Sequence, residues 1–114
     1  MADKTVTVNR TAKPNSPVKI TPVTAAANDI FVVPCDFKDE HTMFIATAET
    51  ATSIVIQAGD GYAAVNPETI SVPVGTSVFT VDSARFKYLT GTNKGKMLIK
   101  ASGAVDLSVV EARV

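Results

Sequence analysis

Apolar and polar side chains alternate in short runs along most of the chain, and glycine turns separate many of these runs after residue 51. Alternation with a period of two is typical of β-strands, because successive side chains of a strand point to opposite faces. No stretch has a helical period of useful length, and the one candidate for a helical turn is residues 82–86. The predicted strands cover residues 30–33, 42–48, 52–58, 62–65, 69–72, 77–82, 84–89, 96–100 and 105–111.

These strands predict a single all-β domain over residues 29–114. Val and Thr make up 30 of the 114 residues, and both are β-branched side chains that suit a pleated, half-buried surface. Strands with one apolar face must pack on a second sheet or curl into a barrel. We therefore expect about eight short strands in an antiparallel β-sandwich or a β-barrel-like domain.

Residues 1–28 have a different character, with three of the six prolines and no glycine. Proline lacks a backbone donor and biases the preceding residue toward extended conformations, so this segment is predicted to be extended. Either it is a disordered tail, or it is an arm that lies across a neighbouring subunit and becomes ordered in an assembly. Residues 4–9 could also pair as an edge strand. The candidate partner-binding residues of this arm are Val6, Val8, Val18, Ile20 and Val23.

Charge and composition exclude several classes of partner. Eleven basic and eleven acidic side chains cancel, so no whole-molecule field would attract nucleic acid or an anionic membrane. Cys35 is the single cysteine, which excludes an internal disulfide framework. The N-terminal part shows no secretory signal, and no apolar stretch approaches the roughly 20 residues of a membrane helix. We expect a soluble protein made in a cytoplasm.

The densest cluster of possible ligands is Asp36, Asp39, Glu40 and His41. It could hold a divalent cation, but its spacing matches no calcium loop and the chain has too few imidazole and thiol ligands for zinc. A solvated charged turn is the better interpretation. A nucleophilic pair of Cys35 and His41 would need an orienting partner such as Asp36, and a half-buried structural thiol is favoured instead. The sequence predicts no catalytic, metal or cofactor site and no enzyme.

A basic segment follows the predicted helical turn. Arg85, Lys87, Lys94 and Lys96 lie in a stretch without any acidic residue. They form either a polar sheet face or a surface that complements an acidic partner, where charge adds specificity and association rate. Residues 58–61 contain two glycines without the strand-to-helix context of a phosphate site, and they predict a hairpin turn with positive φ at glycine.

Four stretches resemble small β-rich virion proteins of tailed bacteriophages. They read SIVIQAGDG (53–61), ISVPVG (70–75), DSARFK (82–87) and NKGKMLI (93–99). Within that group the chain is similar to capsid decoration proteins, the auxiliary head proteins that bind the outside of the shell. The resemblance implies a non-enzymatic structural protein on the capsid exterior. Such a protein would bind the major capsid protein, stabilise the head and form a homo-oligomer such as a trimer.

Two other functions fit a β-rich virion protein. One is a receptor- or carbohydrate-binding β-sandwich of a fibre or tail, which would need exposed aromatic side chains in a concave face. Aromatic residues make up only 6% of the chain, so this alternative ranks below capsid decoration. The other is a tail-tube or connector subunit, which would assemble into rings or tubes without a capsid.

Overall fold

The computed structural model describes residues 2–60 and 66–112, and within them ten strands form two sheets that pack face to face. The strands are β1 (Asp3–Thr5), β2 (Val8–Arg10), β3 (Val23–Ala25), β4 (Ile30–Pro34), β5 (Thr42–Ala48), β6 (Thr52–Ile56), β7 (Glu68–Val72), β8 (Gly75–Phe79), β9 (Lys96–Ala101) and β10 (Val105–Glu111). Single turns of 3-10 helix occur at Asp39–His41 and Ser83–Arg85. The second of these confirms the predicted helical turn at residues 82–86.

The core lies between the inner faces of the two sheets. Strand β5 shows the typical pattern, in which buried positions alternate with exposed or half-buried ones. The largest fully buried side chains are those of Phe31, Phe44, Ile54, Ile56, Met97, Ile99 and Leu107. This arrangement confirms the predicted all-β fold and identifies it as a sandwich.

The strand order is that of a jelly roll. Sheet A has the order β1-β4-β9-β6-β7, and sheet B has the order β2-β10-β5-β8, with β3 pairing with β10 as well. From β3 to β6 and again from β7 to β10, consecutive strands alternate between the sheets. All pairs among β3 to β10 are antiparallel. The order 3-10-5-8 facing 4-9-6-7 is the double-sheet, two-Greek-key arrangement of jelly rolls.

Residues 2–10 belong to both sheets. Strand β1 pairs in parallel with β4, and β2 pairs in parallel with β10. Between them the Val6 N–H donates to the Val32 carbonyl at 2.9 Å, and the Val6 side chain is fully buried. The arm predicted over residues 1–28 is therefore restricted to residues 11–22, because the alternate positions Val6 and Val8 face the core.

The strand predicted at residues 84–89 is absent, and this prediction is wrong. Local hydrogen bonds replace ladder bonds here, since the Lys87 N–H donates to the Ser83 carbonyl at 2.8 Å. Asp39 Oδ2 accepts the Ser83 N–H at 2.9 Å, which fixes the start of the 3-10 turn. Past the turn, Tyr88 forms only an isolated bridge with Lys94. The strand predicted at residues 62–65 lies outside the described residues.

Gly59 has a different structural role from the one predicted. Its φ is not positive; the glycines with positive φ in the described part of the chain are at positions 75, 91 and 95. A Cβ at position 59 would lie 2.5 Å from the Lys87 carbonyl oxygen. Glycine is needed because the backbone at Phe86 and Lys87 approaches this closely.

Candidate functional site

In the acidic turn that follows β4, the carboxylates of Asp36 and Asp39 bind different partners. Asp36 Oδ1 accepts from Arg10 at 2.7 Å, whereas Asp39 Oδ2 accepts from the Ser83 N–H. Glu40 and His41 are exposed. Within residues 2–60 and 66–112, no group of three or more His, Cys, Asp or Glu side chains could hold a metal ion. The turn thus acts as a connector between the sandwich and its loops.

The half-buried Arg10 and the buried Glu111 form an ion pair that sequence reasoning missed. Arg10 Nε donates to Glu111 Oε1 at 2.8 Å, and the Lys38 N–H donates to Glu111 Oε2 at 2.8 Å. The side chain of Glu111 is only 4% exposed. Hydrogen bonds to Glu111 and Asp36 raise the pKa of Arg10 above its usual value. This network joins β2, β10 and the acidic turn, and it stabilises the fold.

Cys35 is a buried thiol at the end of β4. Its Sγ lies 3.7 Å from the Val33 carbonyl oxygen, and the residue is 8% exposed. Desolvation raises the pKa of Cys35 to about 12. A nucleophilic cysteine must ionise near neutral pH, so this environment suits packing.

The basic residues predicted as a partner surface separate into two parts. The backbones at Tyr88 and Lys94 form a bridge, and the Tyr88 N–H donates to the Lys96 carbonyl at 2.9 Å. Lys87 and Lys94 therefore lie in one compact loop that leads into Lys96, the first residue of β9, and we call these three residues the basic loop. Arg85 lies apart from it, in the 3-10 turn.

Two acidic residues approach the same region, Asp60 from the connection between β6 and β7 and Glu68 from the start of β7. Asp60 accepts from the Leu89 N–H and from the Thr90 hydroxyl, and these hydrogen bonds lower the pKa of Asp60. Arg85 lies 3.9 Å from a carboxylate oxygen of Glu68. The basic stretch of residues 85–96 contains no acidic residue, but Asp60 and Glu68 lie beside it in the fold. Both acids are distant in the sequence from the residues they contact, so sequence analysis did not identify these contacts.

The N-terminal residues predicted to bind a partner divide into buried and exposed sets. Val6 and Val8 are core residues, so in this fold they present no surface to a partner. Val23 is partly buried and packs against the core from β3. Val18 and Ile20 are each 39% exposed, in the segment between β2 and β3. Of the five residues, these two are accessible.

A groove of about 680 Å³ lies at the end of the sandwich where β5 turns into β6 and β9 turns into β10. Hydroxyl and carboxylate groups dominate its polar lining, including Thr50, Ser102, Glu49 and Asp106. No aromatic side chain is among its described lining residues. The groove offers hydrogen bonds without a stacking platform.

The outer face of sheet B carries an apolar patch that sequence reasoning missed. The register places Met43 beside Val110 and Ile45 beside Val78, so these four residues are neighbours on β10, β5 and β8. Met43 and Val78 are exposed, while Ile45 and Val110 are half-buried. The apolar patch contains no charge. The available signal was the apolar run in β5, where both alternating sets of side chains are apolar from residue 43 to residue 46.

No family model, curated protein or solved structure matches the chain. No helix in residues 2–60 or 66–112 is long and apolar enough to cross a membrane. The function must therefore be inferred from the fold, the surfaces and the chemistry of the chain's own residues.

Proposed function

We propose that this chain is a non-enzymatic virion structural protein of a tailed bacteriophage. In this proposal it is a capsid decoration protein, made in the bacterial cytoplasm, that binds the outer surface of the major capsid protein and stabilises the head. The sequence resemblance over residues 29–111 suggests the class. The jelly-roll strand order is the single structural observation that carries it, because viral capsid domains are among the proteins built on this arrangement. That support is an analogy between folds.

Two accessible surfaces could contact the capsid. Residues 11–22 connect β2 to β3 outside both sheets, and their exposed apolar side chains are Val18 and Ile20. The basic loop adds Lys87, Lys94 and Lys96, of which Lys94 is exposed and the other two are half-buried. The two exposed apolar side chains of residues 11–22 and the basic loop would each add modest affinity. Repetition over a symmetric shell multiplies such weak contacts.

A carbohydrate- or receptor-binding domain is the second candidate. The groove between the β5–β6 and β9–β10 turns supports it, because lectin domains also use the jelly roll and hydroxyl-rich grooves can hydrogen-bond to sugars. The groove lacks the aromatic stacking surface that would strengthen sugar binding. Capsid decoration is therefore the better supported function.

Co-sedimentation with undecorated capsids of the phage that encodes the chain tests this proposal. We expect the wild-type protein to bind the capsids and to raise the temperature at which they lose DNA or come apart. Because charge contributes, binding should weaken as salt is raised. The proposal fails if the folded protein does not bind these capsids, and glycan binding by isolated protein would favour the second candidate.

Substitutions can locate the binding surface without unfolding the domain. Lys94→Glu and the double change Val18→Ser with Ile20→Ser should each weaken capsid binding, whereas Lys38→Glu, an exposed charge reversal in the acidic turn, serves as the control. Removal of residues 1–24 is a poor test, because it would delete β1, β2 and the buried Val6. Equal binding by all these variants would place the contact elsewhere.

A further inference from the structure

On one side of the sandwich, each sheet ends in a strand that has a single neighbour within residues 2–60 and 66–112. In these ranges, strand β7 pairs only with β6, and β8 pairs only with β5. Among the described residues, β8 makes no backbone hydrogen bond apart from those to β5. We call this side, formed by β7, β8 and their connection, the open side. Its unpaired N–H and C=O groups are a template for a further strand.

Strand β8 lacks the features by which proteins usually prevent edge-to-edge pairing. Such features include lysine or proline on the edge strand, an inward charge, or a very short strand. Strand β8 has five residues with neither proline nor charge. The chain carries no charged residue at all between Glu68 and Asp82. Val74 and Val78 are 65% and 58% exposed on this side.

Strand β8 is also held firmly in the conformation that pairing needs. The rings of Phe79 and Phe44 stack with centroids 5.3 Å apart, and Phe37 packs edge-on against Phe44 at 6.0 Å. Three positions along the same ladder, on the exposed face, Thr47 and Thr76 share a hydroxyl hydrogen bond of 3.1 Å across β5 and β8. A preorganised edge loses little entropy when it pairs.

We propose that the open side binds a second copy of this chain, with β8 pairing antiparallel to β8 of the partner about a twofold axis. The absence of charge favours this occupant, because a charge near a twofold axis would face its own copy. Centred on β8, the pairing would continue sheet B through both molecules. The apolar patch of Met43, Ile45, Val78 and Val110 would then be continuous across the junction. Such an isologous contact closes as a dimer.

This inference does not rest on the proposed capsid function. Sedimentation velocity of the purified protein, from about 1 μM to about 1 mM, covers the range in which a small interface associates. We expect a reversible monomer–dimer equilibrium within that range. A protein that stays monomeric over this whole concentration range overturns the proposal. This includes the case in which the edge of β8 binds a different protein.

Two substitutions test the location of the interface. Val78→Lys places two like charges close to the axis, and we expect the dimer dissociation constant to rise at least about tenfold. Thr76→Lys, on the same outer face of β8, is the second variant should Val78→Lys fail to fold. Ile20→Lys is the matched control, since Ile20 is an exposed apolar residue in the segment between β2 and β3. Circular dichroism melts establish that each variant is folded.

The outcomes separate the two proposals. Dimerisation that is unchanged in folded Val78→Lys or folded Thr76→Lys, or that is equally weakened by Ile20→Lys, overturns the β8 interface. A dimer that never binds capsids leaves the inference intact and removes the proposed function. A monomer that binds capsids removes the inference and leaves the proposed function intact.

Discussion

The two sides of the sandwich manage their sheet edges in opposite ways. On one side the N-terminal segment adds β1 to sheet A and β2 and β3 to sheet B, each only three residues long. We call this side of the sandwich the closed side. Its edge strands carry charged residues, Asp3, Lys4 and Arg10. The open side ends in the five-residue strands β7 and β8, and β8 has no charge.

This difference indicates separate tasks for the two sides. Short, charged edge strands discourage pairing with another chain, so the closed side serves stability. Val6 crosses from one sheet to the other there, and the Arg10–Glu111 ion pair fixes the strand that follows. A longer, uncharged edge is available for association. The N-terminal segment is therefore mainly a structural part of the domain, with residues 11–22 left accessible.

A valine-to-lysine substitution should give the largest difference in unfolding free energy between the two sides. Val6→Lys buries an ammonium group in the core, and we expect it to lower the free energy of unfolding by about 4 kcal/mol or to prevent folding. Val78→Lys should change that free energy by no more than about 0.5 kcal/mol when measured on the monomer. Urea denaturation at low protein concentration measures both. Equal effects at the two positions would contradict the burial of the N-terminal segment.

Loss of the Arg10 guanidinium should have the next largest effect. Arg10→Met removes the guanidinium hydrogen bond to the buried Glu111 carboxylate and should cost about 2 kcal/mol of unfolding free energy. The matched control is Asp36→Asn. The side chain of Asp36 is 70% exposed, so that exposed pair should contribute less than about 1 kcal/mol. A larger loss for Asp36→Asn than for Arg10→Met would refute this ranking.

Lowering the pH should destabilise the start of the closed side, with a smaller effect than Val6→Lys or Arg10→Met. The Asp29 carboxylate accepts the N–H groups of Ala26 and Ala2, both at 3.0 Å, and these bonds lower the pKa of Asp29 below its usual 3.8. A carboxylate with a lowered pKa stabilises the fold above its unfolded-state pKa, and the effect disappears as pH falls through the folded-state value. Protection of the Ile30 amide, whose N–H donates to the Ala2 carbonyl, should therefore fall under acid, measured as its exchange rate relative to the intrinsic rate at the same pH.

Asp29→Asn is the control for that pH dependence. It removes the titrating group, so the acid-dependent loss of protection at Ile30 should disappear. An NMR titration midpoint for Asp29 at or above 3.8 would show that the carboxylate is not held by these two bonds.

The sequence predicted the strands β4 to β10, but not the environment of each segment. Alternation in residues 42–48 predicted β5 with its observed bounds, because one face of that strand is buried and the other is not. At residues 84–89 the same kind of alternation was misleading. Asp39 and Gly59, distant in sequence, contact this stretch and favour a 3-10 turn and a loop.

The candidate surfaces depended even more on contacts distant in sequence. Val6 and Val8 have the same character as Val18, yet only strand pairing decides which of them are buried. Asp60 lies beside the basic loop through bonds to Leu89 and Thr90, and nothing local in the sequence indicates this. The open side is the exception. Its lack of charge between Glu68 and Asp82 is visible in the sequence, although its position at two sheet edges is not.

Residue-resolved hydrogen exchange of β2 and β8, repeated at increasing protein concentration, compares the two sides most directly. We expect the β8 amides to become more protected between about 10 μM and about 1 mM as the free edge becomes paired, while the β2 amides exchange at constant rates. Exchange from β8 that does not depend on concentration, or that slows equally in β2, would show that the two edges do not differ in the way proposed.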